Sequence, residues 1–83
     1  MKVKQINLDN EEMPESVLVE LSHDEATYLA LLLGKQNETT AEAILQGGGR
    51  LNSAVYEGLS GGLFNRFYED GVSGAADVVR TRQ

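Results

Sequence analysis

The chain reads as an α+β domain: an N-terminal antiparallel β-hairpin followed by two to four helices, assembled as a homo-oligomer. Three observations predict this. Two short segments of loosely alternating hydrophobicity flank a polar loop that holds the only proline, Pro14. Two capping-box patterns then introduce runs of apolar residues at helical spacing. Finally, 83 residues with no cysteine form one domain, residues 1–83, whose core alone supplies little stability, so self-association is the staple that remains.

The first strand is expected over Lys2 to Leu8, with Ile6 and Leu8 on one face. The second is expected over Ser16 to Leu21, where Val17, Val19 and Leu21 face one way. Pro14 bars a regular strand through the intervening loop. Two strands are marginal alone, so they need a helix laid across them or strands from another subunit.

Ser22-His23-Asp24-Glu25 is the clearest helix start: the serine caps the first turn, and the two acids suit the positive end of the helix dipole. Ala26, Leu29, Ala30 and Leu33 make one stripe, with Leu32 beside it and Tyr28 and Leu31 widening the apolar face. Gly34 or Asn37 ends this helix. Thr39-Thr40-Ala41-Glu42 is read as a second capping box opening a short helix through Ala43, Ile44 and Leu45. Gly47-Gly48-Gly49 stops it and is read as a plain linker, since it lacks the lysine and hydroxyl of a phosphate loop.

Leu51, Val55, Leu59, Leu63 and Phe67 recur every four residues, as a helix from about 51 to 69 requires. Gly58, Gly61 and Gly62 oppose it, although Ala54, Gly58 and Gly62 would also form a smooth strip for a second helix. Two helical segments or one kinked helix are expected, with Gly71 as the left-handed C-terminal cap. The tail from Val72 fits either a short helix or a strand with Arg80 and Arg82 on one face.

Charge is uneven. Residues 1–45 hold nine acids and three lysines, and residues 46–83 hold four acids and all four arginines. An overall charge of −6 argues against nucleic-acid binding, which needs many basic contacts, but leaves room for a small anion in a local arginine pocket. The longest apolar run, Leu29 to Leu33, is too short to span a bilayer, and Met-Lys-Val-Lys-Gln starts no signal peptide, so a cytoplasmic location is expected.

No catalytic constellation stands out. The single histidine, His23, sits at a helix start with a structural reading, and it excludes a multi-histidine metal site. The paired acids Glu11/Glu12, Asp24/Glu25 and Glu69/Asp70 each have a structural explanation. The chain is therefore read as no enzyme and as needing no cofactor. The densest chemistry lies in Phe64-Asn65-Arg66-Phe67-Tyr68 together with Arg80 and Arg82. Aromatic rings, guanidinium groups and an amide suit a phosphorylated nucleotide. Leu63 and Phe67 are assigned to the core; Phe64, Asn65, Arg66 and Tyr68 form the candidate ligand-binding band.

The order of parts resembles the small phage anti-Thoeris sponge family, the first-described of the Thoeris anti-defence proteins. The segments that carry the resemblance are Met13 to Ala26, Leu32 to Asn37, Phe64 to Gly71 and the arginine-bearing tail. The resemblance implies a phage protein that does no chemistry. Such a protein binds cyclic ADP-ribose isomers made by TIR-domain enzymes, at sites between subunits, and some members form hexamers built from dimers that also hold cyclic oligonucleotides (cyclic trinucleotides) at a separate site. It implies that Arg80 and Arg82 bind the pyrophosphate, that Phe64 stacks on adenine and that Asn65 reads its edge. The rival readings are a small acidic protein that inhibits a host protein by direct binding, and a structural oligomer with no ligand.

Overall fold

The computed structural model describes residues 1–82. Its hairpin pairs β1 (Lys2–Leu8) with β2 (Pro14–Glu20) in an antiparallel sheet of two strands. Pro14 is tolerated because it is the first residue of its strand. The register has irregularities between Val3 and Gln5 and between Asn7 and Leu8. The first matters most: Val3 pairs with Val19 and Ile6 with Val17, so skipping Lys4 brings Val3 and Ile6 onto one face. Leu8 completes that face. The other face carries Gln5, Asn7 and Ser16 together with Leu18; its polar members are joined by Gln5 Nε2 to Asn7 Oδ1 (2.6 Å) and Asn7 Nδ2 to Ser16 Oγ (2.9 Å). The helix that the hairpin needed is not supplied within the chain: every residue of both strands is exposed.

Helix α1 (His23–Gly34) starts as its sequence predicts. Ser22 Oγ accepts the Glu25 amide at 3.1 Å, and Glu25 Oε1 accepts the Ser22 amide at 2.9 Å. Glu25 Oε2 also takes the Met1 ammonium at 2.5 Å, tying the start of β1 to α1. That ammonium and the Ser22 amide hold the Glu25 carboxyl well below its ordinary value, at about 2.

Helix α2 (Glu38–Ile44) is capped by Asn37, two residues earlier than expected: Asn37 Oδ1 accepts the Thr40 amide at 2.8 Å, and Thr40 Oγ1 accepts the Asn37 amide at 2.9 Å. An asparagine caps as well as a threonine, and only the backbone decides which one is used. The glycine run is a tight corner, not a linker. Gly47 takes φ 86°, and Gly48 opens the next helix so close to α2 that a Cβ there would lie 2.2 Å from the Ala41 carbonyl oxygen.

Helix α3 (Gly48–Leu59) passes without a break into a π-helical segment, Ser60–Phe64, and then an α-helical turn, Asn65–Phe67. The glycines at 61 and 62 lie in the wide turn and do not break the helix. Among the described residues, nothing comes within 4 Å of a Cβ placed at Gly58, Gly61 or Gly62, so the smooth strip stays open. The helix stops at Tyr68, which takes an extended conformation. Gly71 does have positive φ (60°, with ψ −130°), but as the N-cap of α4 (Val72–Thr81), not as the end of α3. A Cβ there would also meet Asn65 Oδ1 at 2.5 Å. The tail is thus helical.

The core is small. Phe64 is wholly buried, packed with Ala26 and Ala30 of α1 and Ala75 of α4, and Leu21, Leu59, Leu63, Tyr68 and Val72 close around it. Phe67, expected in the core, is 70% exposed. The π segment adds a residue to the turn, so positions that a straight helix would align no longer share one face.

Phe64→Ala should lower stability by about 3–5 kcal/mol and Phe67→Ala by less than about 1 kcal/mol, read from urea unfolding. Gly71→Ala should also destabilise, by more than about 1 kcal/mol, because its backbone region disfavours a side chain; the exposed Asn65 carboxamide can swing aside from a Cβ. The Glu25 carboxyl is depressed in the folded state, so its contribution is complete above the unfolded value near 4.5 and is lost as pH falls through about 2. Between those limits, Glu25→Gln should flatten the acid limb of stability, and added salt should shrink the difference.

Candidate functional site

The N-terminus of α1 and the end of α4 bring four polar side chains into one cluster. His23 lies between them. Its Nε2 is 2.6 Å from Tyr68 Oη, and its Nδ1 is 2.8 Å from Asp24 Oδ1. Arg82 reaches this pair from the far end of the sequence, with Nη2 donating to Asp24 Oδ1 at 2.9 Å and lying 3.2 Å from His23 Nδ1. Beneath the imidazole, the edge of the Phe64 ring meets it at 80° with centroids 6.4 Å apart, and Tyr68 is tilted against it at 5.8 Å.

Each member is placed by a local rule. Ser22 starts α1 and thereby sets His23 and Asp24 in its first turn. The extended conformation of Tyr68 swings its ring back over α1, while Gly74 in α4 lies close beneath, with room for a Cβ only at 3.1 Å from the tyrosine Cβ. Two proton arrangements satisfy the cluster. When His23 Nδ1 donates to Asp24, Nε2 accepts the tyrosine hydroxyl proton; when Nδ1 accepts from Arg82, Nε2–H donates to the tyrosine oxygen. The carboxylate holds one guanidinium nitrogen and fixes the plane of the fork, leaving its remaining N–H groups to bond an anion.

The expected ligand residues separate into four places. Tyr68 and Arg82 join the cluster. Arg66 and Phe67 form their own pair on the last turn of α3, with the guanidinium carbon 5.8 Å from the ring centroid, and Asn65 is exposed one residue earlier with its carboxamide oxygen against Gly71. Arg80 turns away to Asp77 at 3.2 Å. In a strand, Arg80 and Arg82 would share a face; on a helical backbone, residues two apart point in nearly opposite directions. The two cations therefore do not converge on one phosphate within a single chain. Phe64 presents no face to a ligand, because its ring is the centre of the core. The exposed ring in this block is Phe67.

Sequence reasoning missed His23 and Asp24 as partners of the tail. The signal was faint: a lone histidine beside an acid at a helix start has a sufficient local explanation, and only the fold shows Arg82 arriving 58 positions later. A further concavity lies elsewhere. It is a groove of about 490 Å³ between α2 and the start of α3, with Arg50 and Glu38 both in its lining. Two of its amides are engaged: Asn37 caps α2, and Asn52 donates to the Leu33 carbonyl at 3.0 Å, while Gln36, Arg50 and Ser53 also line the groove. Among the described residues, no cluster of His, Asp and Glu could hold a metal ion.

Comparison of the chain with protein-family models, curated proteins and solved structures found no match.

Tyr68→Phe should cost about 0.5–1.5 kcal/mol in urea unfolding, since it leaves a half-buried imidazole nitrogen without its partner. Arg82→Gln breaks only an exposed pair and should change stability by less than about 1 kcal/mol.

Proposed function

We propose that this protein binds a small phosphorylated nucleotide without transforming it, at a site completed between copies of the chain, as the resemblance to the phage anti-Thoeris sponges implies. The observation that carries this reading is the placement of Arg82. Asp24 and His23 engage its guanidinium, and the other ring nitrogen of His23 meets Tyr68, so an arginine donor and aromatic rings belong to one cluster before any ligand arrives. Preorganisation of this kind lowers the cost of capture, which is what a sequestering protein needs.

The same reading assigns base stacking to Phe67, with Arg66 above its ring and Asn65 as the neighbouring amide. Phe64 is relieved of that role by its burial. Arg80 diverges from Arg82 in one chain, so a second phosphate contact would come from another copy. Capture without turnover is what the resemblance implies. The ligand class expected is a cyclic ADP-ribose isomer, with cyclic oligonucleotides as a second panel.

Thermal melting with cyclic ADP-ribose isomers tests this. A binder gains RT ln(1 + [L]/Kd), about 4 kcal/mol at a thousandfold excess over Kd. Arg82→Gln should abolish the shift while melting near the unliganded wild type. Heat release followed by mass spectrometry should return the ligand intact. No shift across the panel would sink the reading, and a cleaved ligand would replace it with an enzyme.

A further inference from the structure

The chain does not close on itself. It exposes 6431 Å² of accessible surface, whereas a compact monomer of 9.0 kDa exposes about 4,900 Å². Its radius of gyration is 14.6 Å, against about 12 Å for a globule of this length. The roughly 1,500 Å² of excess per chain, about 3,000 Å² for a pair, lies in the range of obligate dimer interfaces.

Two apolar surfaces contribute to that excess. One is the hairpin face of Val3, Ile6, Leu8, Val17 and Val19, each 40–56% exposed. The other is a groove of about 340 Å³ between α1, α2 and α3, whose exposed walls include Leu32, Ile44, Leu45, Leu51 and Val55. The hairpin leaves the N-terminal end of α1 through Leu21 and Ser22, while Leu32 and Leu33 of the groove lie at its C-terminal end. The two surfaces thus sit at opposite ends of one helix and do not meet within a chain.

We infer that the hairpin of one copy lays its apolar face into the α1–α2–α3 groove of a second copy, reciprocally, in a two-fold arm exchange. One contact repeated twice covers both surfaces and closes the assembly. Packing hairpin on hairpin would leave the groove bare and require a second, separate interface for it. The occupant also gives the hairpin the helical support that two strands alone lack. The Lys4 irregularity then has a purpose: without it, the register would not gather Val3, Ile6 and Leu8 on the docking face. This inference is independent of the nucleotide reading, since its test contains no ligand.

The chain has no cysteine, so introduced thiols report cleanly. Val17→Cys and a mass-tagged Leu51→Cys are mixed, left to re-equilibrate and treated with a short bis-maleimide. Cross-linked dimers holding one chain of each kind are expected, with neither variant alone cross-linking above a monomer control. In sedimentation, Ile6→Lys should weaken association roughly tenfold or more, while Gln5→Lys on the opposite face leaves it unchanged. The far-UV helical signal should persist in both variants. Efficient cross-linking of Val17→Cys alone would show hairpin against hairpin and overturn the inference. A wild-type protein that stays monomeric at high concentration would overturn it as well.

Discussion

One aromatic ring organises the helical body. Phe64 is the largest wholly buried side chain, and the residues against it are Ala26, Ala30 and Ala75. Alanines let two helices come close enough to grip a ring from both sides, which a larger residue at any of those positions would prevent. The ring reaches that position from the π-helical segment, whose extra residue turns Phe64 inward and leaves Phe67 outside. The same rotation places Tyr68 where it can reach back to His23. Core and cluster are consequences of one distortion in one helix.

A core built on one ring and a handful of alanines is too small to hold a hairpin as well. The strands instead emerge as an arm with a mostly polar face knitted by Gln5, Asn7 and Ser16 and an apolar face left open. An amphipathic arm of this kind has a packing surface without a packing partner, and the excess surface of the whole chain says the same at larger scale. The open apolar face and the excess surface are features of the fold itself and do not depend on what the protein binds.

The polar cluster follows the opposite logic, being assembled within one chain. Asp24 neutralises part of the Arg82 charge and holds the guanidinium in one plane, and His23 ties that arrangement to Tyr68. Under the proposed function, a phosphate would compete with that one carboxylate for the guanidinium. Phe67 and Arg66, held apart from that cluster on the last turn of α3, supply the exposed ring with its cation.

Local chemistry was enough to read the hairpin, the Ser22 cap and most of the helices. Alternation, a proline and a capping box act over a few residues, and they act the same way in any fold. The second cap was read two residues late because Asn37 and Thr39 are equally good candidates until the backbone chooses. The glycine run and Gly71 were recognised as special, but their roles depend on what lies beside them: the Ala41 carbonyl in one case, the Asn65 side chain in the other. The composition of the site was visible in the aromatic block and the tail arginines. Its membership was not, because which aromatic is buried depends on the phase of a π turn, and which cation meets which acid depends on a contact across 58 residues. Short-range preferences are written in the order of residues, whereas phase and long-range pairing exist only once the chain has folded.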